Sequence, residues 1–284
     1  MKRVLLFVIV LFAVHAFAQD AAEKINQANE ALKAEDYARA YQLYDQAMKN
    51  IGDVQIDDAI NFNIGYAAYK AGNLEGAVKY FDKAIKIGTN VPKCYEYLAL
   101  AYNDKKDYKN AEANFEKAIE ASDASDENTK ALVYNAAIAA YRGNMMEKAA
   151  ALFGKSVDNS YKAETAIYYK AAALKKLNKD DEYKATLEEG AQKFPGDKNI
   201  GSALANVYVL EGNDLYKKGA AIITAANAKV SGGSLKTSDA AYTSEVDKAK
   251  VEFKAAVKIL EKAKALDASN ENAQKILEAC KAVL

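Results

Sequence analysis

The sequence predicts an all-α solenoid of about six antiparallel helical hairpins, with an elongated last hairpin and a C-terminal capping helix. Two observations carry this. Ala, Lys, Glu and Leu are abundant, whereas Pro occurs only at Pro92 and Pro195 and Trp is absent, so little in the chain breaks a helix. A two-helix pattern, small residues on the first helix and Ala-x3-Phe-x2-Ala on the second, also returns at intervals of about 34 residues. With 51% apolar residues there is material for a sizeable core, spread along a line by stacking.

Residues 1–18 stand apart. Lys2 and Arg3 precede an apolar run from Val4 to Val14, and Ala16-Phe17-Ala18 is a small-x-small cleavage pattern, so the segment reads as a secretory signal peptide with the mature chain beginning at Gln19. About 14 mostly apolar residues are short of the roughly 20 that a spanning helix needs. No cysteine follows the run, which argues against a lipoprotein anchor. Export to the periplasm or outside the cell is therefore expected, with no integral membrane segment after cleavage. Removal of the segment leaves 37 basic and 39 acidic residues, a formal charge of −2, and takes away His15, the only histidine.

The array is expected over 19–197 in about five repeats, followed over 198–284 by a degenerate sixth repeat with a long helical insertion and a cap. The first repeat, 21 to 54, shows its pattern mainly in its second half, at Tyr37, Ala40, Tyr44 and Ala47. The second, 58 to 91, has Ile64-Gly65 at a close-packing point, a turn at Gly72-Asn73, then Ala77, Phe81 and Ala84. The third, 92 to 125, opens at Pro92, whose missing N–H costs nothing in a first helical turn. It contains the clearest copy, Tyr95 to Ala118: Tyr95, Leu98, Ala99 and Tyr102, a turn at Lys106-Asp107, then Ala111, Phe115 and Ala118.

A polar insertion, Ser122 to Asn128, precedes the fourth repeat at 130 to 163, marked by Val133, Ala136, Ala137, Tyr141, Ala149 and Phe153, with Ser156 in place of an alanine. The fifth, 164 to 197, keeps Ile167, Ala171, Leu174 and Leu187, but Tyr183 and Gly190 replace small alanines. The sixth begins with a helix from Asn199 about twice the usual length, then a loop at Ser231 to Ser238. Its second helix, from Asp239, carries Val246, Phe253, Ala256, Val257, Leu260, Ala263 and Leu266 at three-to-four spacing. A last helix, capped at Ser269-Asn270, places Ala273, Ile276, Leu277, Cys280 and Leu284 on one face. Cys94 and Cys280 are 186 positions apart and read as small buried hydrophobes.

The spacing aromatic-x2-Leu-small-x2-Tyr followed by Ala-x3-Phe-x2-Ala resembles the tetratricopeptide repeat (TPR) family, in its exported bacterial form. The resemblance implies a right-handed superhelix with a concave groove. It also implies that five positions of each first helix face that groove, among them Phe62, Tyr66, Tyr69 and Lys70 in the second repeat, Tyr134, Ile138, Tyr141 and Arg142 in the fourth, and Tyr168, Lys175 and Lys176 in the fifth. Tyr and Arg are frequent binding anchors. Of the family's clamp for a peptide's terminal carboxylate, Asn29, Asn63 and Lys93 match three positions, while Ile25 and Tyr97 replace the two remaining basic residues.

Catalysis finds little support. Without histidine the mature chain lacks the commonest general base and metal ligand. It has no paired-cysteine zinc spacing, and Gly232-Gly233 lack a phosphate-loop context. Runs such as Asp123 to Glu127 and Lys179 to Glu182 read as solvated helix ends. Near-neutral charge gives no basic face for nucleic acid. The expectation is a non-enzymatic scaffold of the cell envelope, without cofactor or metal, that binds a protein or peptide segment in the groove. A carbohydrate-binding or carbohydrate-processing protein using the tyrosine-lined groove is the alternative. Self-association through the long last hairpin is a third possibility.

Overall fold

The computed structural model describes residues 19–51, 55–123 and 126–284. The expected signal peptide lies outside the described residues. Among these there are thirteen helices and no strand. They fall into two compact units, one ending at Tyr161 and one beginning at Lys162.

The first unit contains α1 (19–33), α2 (Tyr37–Lys49), α3 (Ile60–Lys70), α4 (Leu74–Ile87), α5 (Val91–Asp104), α6 (Tyr108–Glu120), α7 (Glu127–Arg142) and α8 (Met146–Asp158). Consecutive pairs form four hairpins, in which the odd-numbered helix comes first. The second unit contains α9 (Ala163–Lys176), α10 (Asp180–Lys193), α11 (Lys198–Ser231), α12 (Ala240–Leu266) and α13 (Glu271–Lys281).

One turn geometry closes the first five hairpins. The residues Glu35, Gly72, Lys106, Asn144 and Asn178 all have left-handed φ, between 58° and 78°. The residue after each returns its N–H to a carbonyl five positions back, as in Asp36 to Ala31 at 2.9 Å and Asn73 to Ala68 at 2.8 Å, which satisfies the helix end and reverses the chain. In the first three turns that residue also caps the next helix. Asp36, Asn73 and Asp107 accept from the N–H groups of Arg39, Gly76 and Asn110, three positions on, where a helix has unsatisfied donors.

Between the helices of a hairpin, small residues meet large ones. A Cβ added at Gly65 would lie 2.7 Å from Cδ1 of Phe81, so only glycine admits that ring. Ala99, Ala137, Ala171 and Ala205 are buried at the corresponding places, as are Phe115 and Phe153. Ser156 is tolerated where alanine is usual because its hydroxyl donates to the Leu152 carbonyl at 3.2 Å. Asn61 is not satisfied in this way. It is 5% exposed, its Oδ1 has no hydrogen-bond partner, and the equivalent places of the next two repeats hold Tyr95 and Val133. Asn61→Leu should therefore raise stability by about 1–2 kcal/mol, read from the urea midpoint, since an unpaired buried carbonyl carries its full desolvation cost.

In the second unit α11 has 34 residues against 14 in α9 and α10, about 51 Å against about 21 Å. It pairs with α12 through two glycines seven apart: a Cβ at Gly212 would meet Leu260 at 2.6 Å, and one at Gly219 would meet Phe253 at 2.7 Å. Ala273, Leu277 and Cys280 of α13 close the core around Ala205, Phe253 and Leu260. Leu284, expected on the capping face, is 42% exposed because α13 ends at Lys281. The unit boundary places α9 and α10 with the long hairpin, and the contacts explain why. Lys184 pairs with Glu211 at 2.6 Å, the Tyr208 hydroxyl donates to Glu188 at 3.0 Å, and Gly190 lets Ile167 and Ile200 approach. Cys94 and Cys280 are free and buried, one in each unit.

Candidate functional site

The first helices of the hairpins in the first unit carry an aromatic wall. On α3 the rings of Phe62 and Tyr66 stack at 6.5 Å, and Tyr97 of α5 sits at the centre of the group. Its ring centroid is 5.2 Å from Tyr66, 5.7 Å from Tyr69 and 6.1 Å from Phe62, and it lies nearly parallel to Phe81 at 5.7 Å. Tyr37, at the start of α2, meets Tyr66 edge-on at 5.8 Å, with the Lys70 ammonium 5.4 Å from its ring centroid. Edge-to-face and offset pairs of this kind contribute beyond simple burial.

Electrostatics keep the wall neutral. Burial, with the Asp104 carboxylate beside it, pushes Tyr69 up to about 12. Burial also raises Tyr97 and Tyr37, whose hydroxyls are hydrogen-bonded to that of Tyr66. A raised phenol stays protonated through the whole neutral range. The wall therefore offers hydroxyls and ring edges, with Lys70 as the adjacent exposed cation.

The expected site residues divide. Phe62, Tyr66 and Tyr69 come together and are half-buried, and Lys70 beside them is exposed. On α7 the Arg142 guanidinium is exposed and donates to Asn103 of α5 at 3.4 Å. Tyr141 meets Phe153 edge-on at 6.4 Å. Tyr134 is 8% exposed, its ring edge-on to Phe153 and Tyr161, so it fills the fourth hairpin and does not present an anchor. Tyr168 belongs to the second unit, half-buried beside Tyr169 at 5.7 Å; there Lys175 is engaged by Asp180 at 2.6 Å. Tyr97 is the residue that sequence reasoning missed. Its register marked it only as a lost basic position, although an aromatic one repeat after Asn63 was a signal that the two repeats differ on this face.

The chemistry available here is recognition. Among the described residues no group of three or more His, Cys, Asp or Glu side chains could hold a metal ion, and no helix is long and apolar enough to cross a membrane.

Two tetratricopeptide repeat family models match the chain, at residues 25–92 and 92–124. Residues 25–124 are tetratricopeptide repeats. Among solved structures it is similar to a TPR repeats protein from Bacteroides fragilis, at 20% identity over 93% of this chain and 99% of that one, TM-score 0.39. It is similar also to YrrB, described as a TPR protein with an unusual peptide-binding site, at 17% identity over 67% and 94%, TM-score 0.49. A third is the C-terminal part of a TPR repeat-containing protein from Cytophaga hutchinsonii, at 16% identity over 94% of each, TM-score 0.48. No curated protein sequence matches the chain.

The tetratricopeptide repeat fold is that of a protein–protein interaction scaffold. In this member the clamp for a terminal carboxylate is dismantled. Lys93 is drawn to Glu96 at 2.7 Å and lies 3.5 Å from the Asn128 amide oxygen, and Tyr97 is locked among rings.

Proposed function

We propose that this tetratricopeptide repeat protein is a non-enzymatic, exported scaffold of the bacterial cell envelope. It binds a partner segment on the face carried by the first helices of its first unit. The observation that carries this reading is the half-exposed aromatic wall of α3 and α5, bordered by the exposed cations Lys70 and Arg142. Rigid rings with polar tips give contact area at small entropic cost. Export is supported by the pattern of residues 1–18. The carbohydrate reading has no observation in its favour, because Phe62, Tyr66 and Tyr97 turn their rings toward one another.

Capture of partners from envelope extract with the tagged chain tests the reading, comparing the native protein with Lys70→Glu/Arg142→Glu. Both side chains are exposed, so the melting temperature should hold. Recovery of the bound partner should fall about tenfold, the effect of losing two rim anchors. Equal recovery would reject this face.

A further inference from the structure

At the N-terminal end of the same face, between α1 and α3, lies a cleft of about 350 Å3, within the lower part of the roughly 300–1,000 Å3 range of ligand sites. Its apolar lining is Ala22, Ala59 and three isoleucines, Ile25, Ile56 and Ile60, the last three packed on the core of the first hairpins. Its polar lining is dominated by four carboxamides, Asn26, Asn29, Gln55 and Asn63. We propose that this cleft holds the main chain of an extended, uncharged peptide segment, seats one apolar side chain on the isoleucines, and discriminates against a free terminal carboxylate.

The inference rests on the scaffold reading and names the kind of segment this end of the face accepts. A carboxamide carries both donors and an acceptor, which is the complement of a peptide bond. Asn29 is held in one orientation: the hydroxyl of Tyr44, fully buried, donates to its Oδ1, so its NH2 is the group left to donate outward. A terminal carboxylate finds no compensating charge. Among the described residues the lining contains no cation, and its one charged member, Asp57, accepts from the Ala59 N–H at 2.7 Å. Lys93, the lysine that the clamp would use, is paired with Glu96. A carboxylate would shed water here without an ion partner, which is costly, whereas a peptide amide exchanges water for matched hydrogen bonds.

The test is a titration of the full chain, followed by two-dimensional amide NMR, with two forms of one pentapeptide, Gly-Leu-Ile-Leu-Gly. One form is acetylated and amidated; the other is acetylated with a free carboxylate. The capped form should shift resonances of α1 and the start of α3 and bind about tenfold more tightly than the carboxylate form. Asn26→Leu/Asn63→Leu, with an unchanged melting temperature, should weaken the capped form by a similar factor. Equal or tighter binding of the carboxylate form, or no shift at millimolar peptide, overturns the proposal. Shifts confined to Tyr66, Tyr69 and Tyr97 overturn the assignment to this cleft. In each of these cases the Lys70/Arg142 capture decides separately whether the scaffold reading stands.

Discussion

Lys148→Met should lower the stability of the first unit by about 1–3 kcal/mol at pH 8 and by much less at pH 5. The reason is a charge cluster between the second helices of two successive hairpins. Glu112 on α6 is 2% exposed, and the Lys148 ammonium of α8 reaches both of its carboxylate oxygens at 2.9 Å and Glu116 at 3.1 Å. Burial pushes Glu112 above the usual carboxylate range; Lys148 pulls it back without offsetting the burial, and Glu116 adds to the rise. The same contacts raise Lys148, Glu112 foremost. Breaking a fully buried pair costs about 3–5 kcal/mol, but Lys148 is 49% exposed, so solvent screening reduces the figure.

The pH dependence follows from linkage. A carboxylate whose folded pKa is raised binds its proton more tightly when folded, so its contribution to stability declines as pH rises through that value. Removing Lys148 raises Glu112 further. As pH falls, more of the variant's Glu112 is protonated and the loss of the cation matters less; as pH rises, more of it is ionised and buried without its cation. Lys148, raised above the ordinary lysine value, contributes fully below that value and loses its contribution only as pH rises through its folded pKa, outside this window. Glu112→Gln/Lys148→Met removes the buried charge as well and should recover most of the loss at pH 8. Urea midpoints at the two pH values measure this, and an equal deficit at both would show that the pair is held by packing alone.

Gly65→Leu should cost about 1–3 kcal/mol, the range for overpacking a well-filled core, and should also disturb the aromatic wall. The added side chain has to occupy the space of the Phe81 ring. That ring lies nearly parallel to Tyr97, the centre of the wall, so moving it moves Tyr97 and through it Tyr66. Amide exchange should show lost protection in α3, α4 and α5, while α11 and α12 of the second unit keep theirs. Unchanged protection in α5 would mean that Tyr97 does not depend on Phe81.

Most of the fold was legible because its signals are local. Gly65 and Phe81, the Gly72-Asn73 and Lys106-Asp107 turns, and the loop before Asp239 announce themselves within one repeat, and the structure places them as expected. The turns at Glu35, Asn144 and Asn178 share the same left-handed geometry with residues that do not demand it, so they could be placed only by analogy with the others. The site was less legible, because its members are decided by neighbours about 20 to 35 residues away. Register puts Phe62 and Tyr134 at equivalent positions, yet Tyr161 and Phe153 bury the latter, while the former, beside Tyr66 and Tyr97, stays half-exposed. Glu112 and Lys148 each look like ordinary helix surface charges. Only the placement of α8 relative to α6 brings the Lys148 ammonium onto the buried Glu112 carboxylate.

The central claim is that the face carried by the first helices of the first unit is where a partner binds. A photo-crosslinking residue in place of Lys70, on that face, compared with one in place of Lys83, an exposed position on the second helix of the same hairpin, tests it most directly. After irradiation in envelope extract, the account predicts a discrete adduct from position 70 and none from position 83. Equal labelling from both positions, or labelling from position 83 alone, would contradict it.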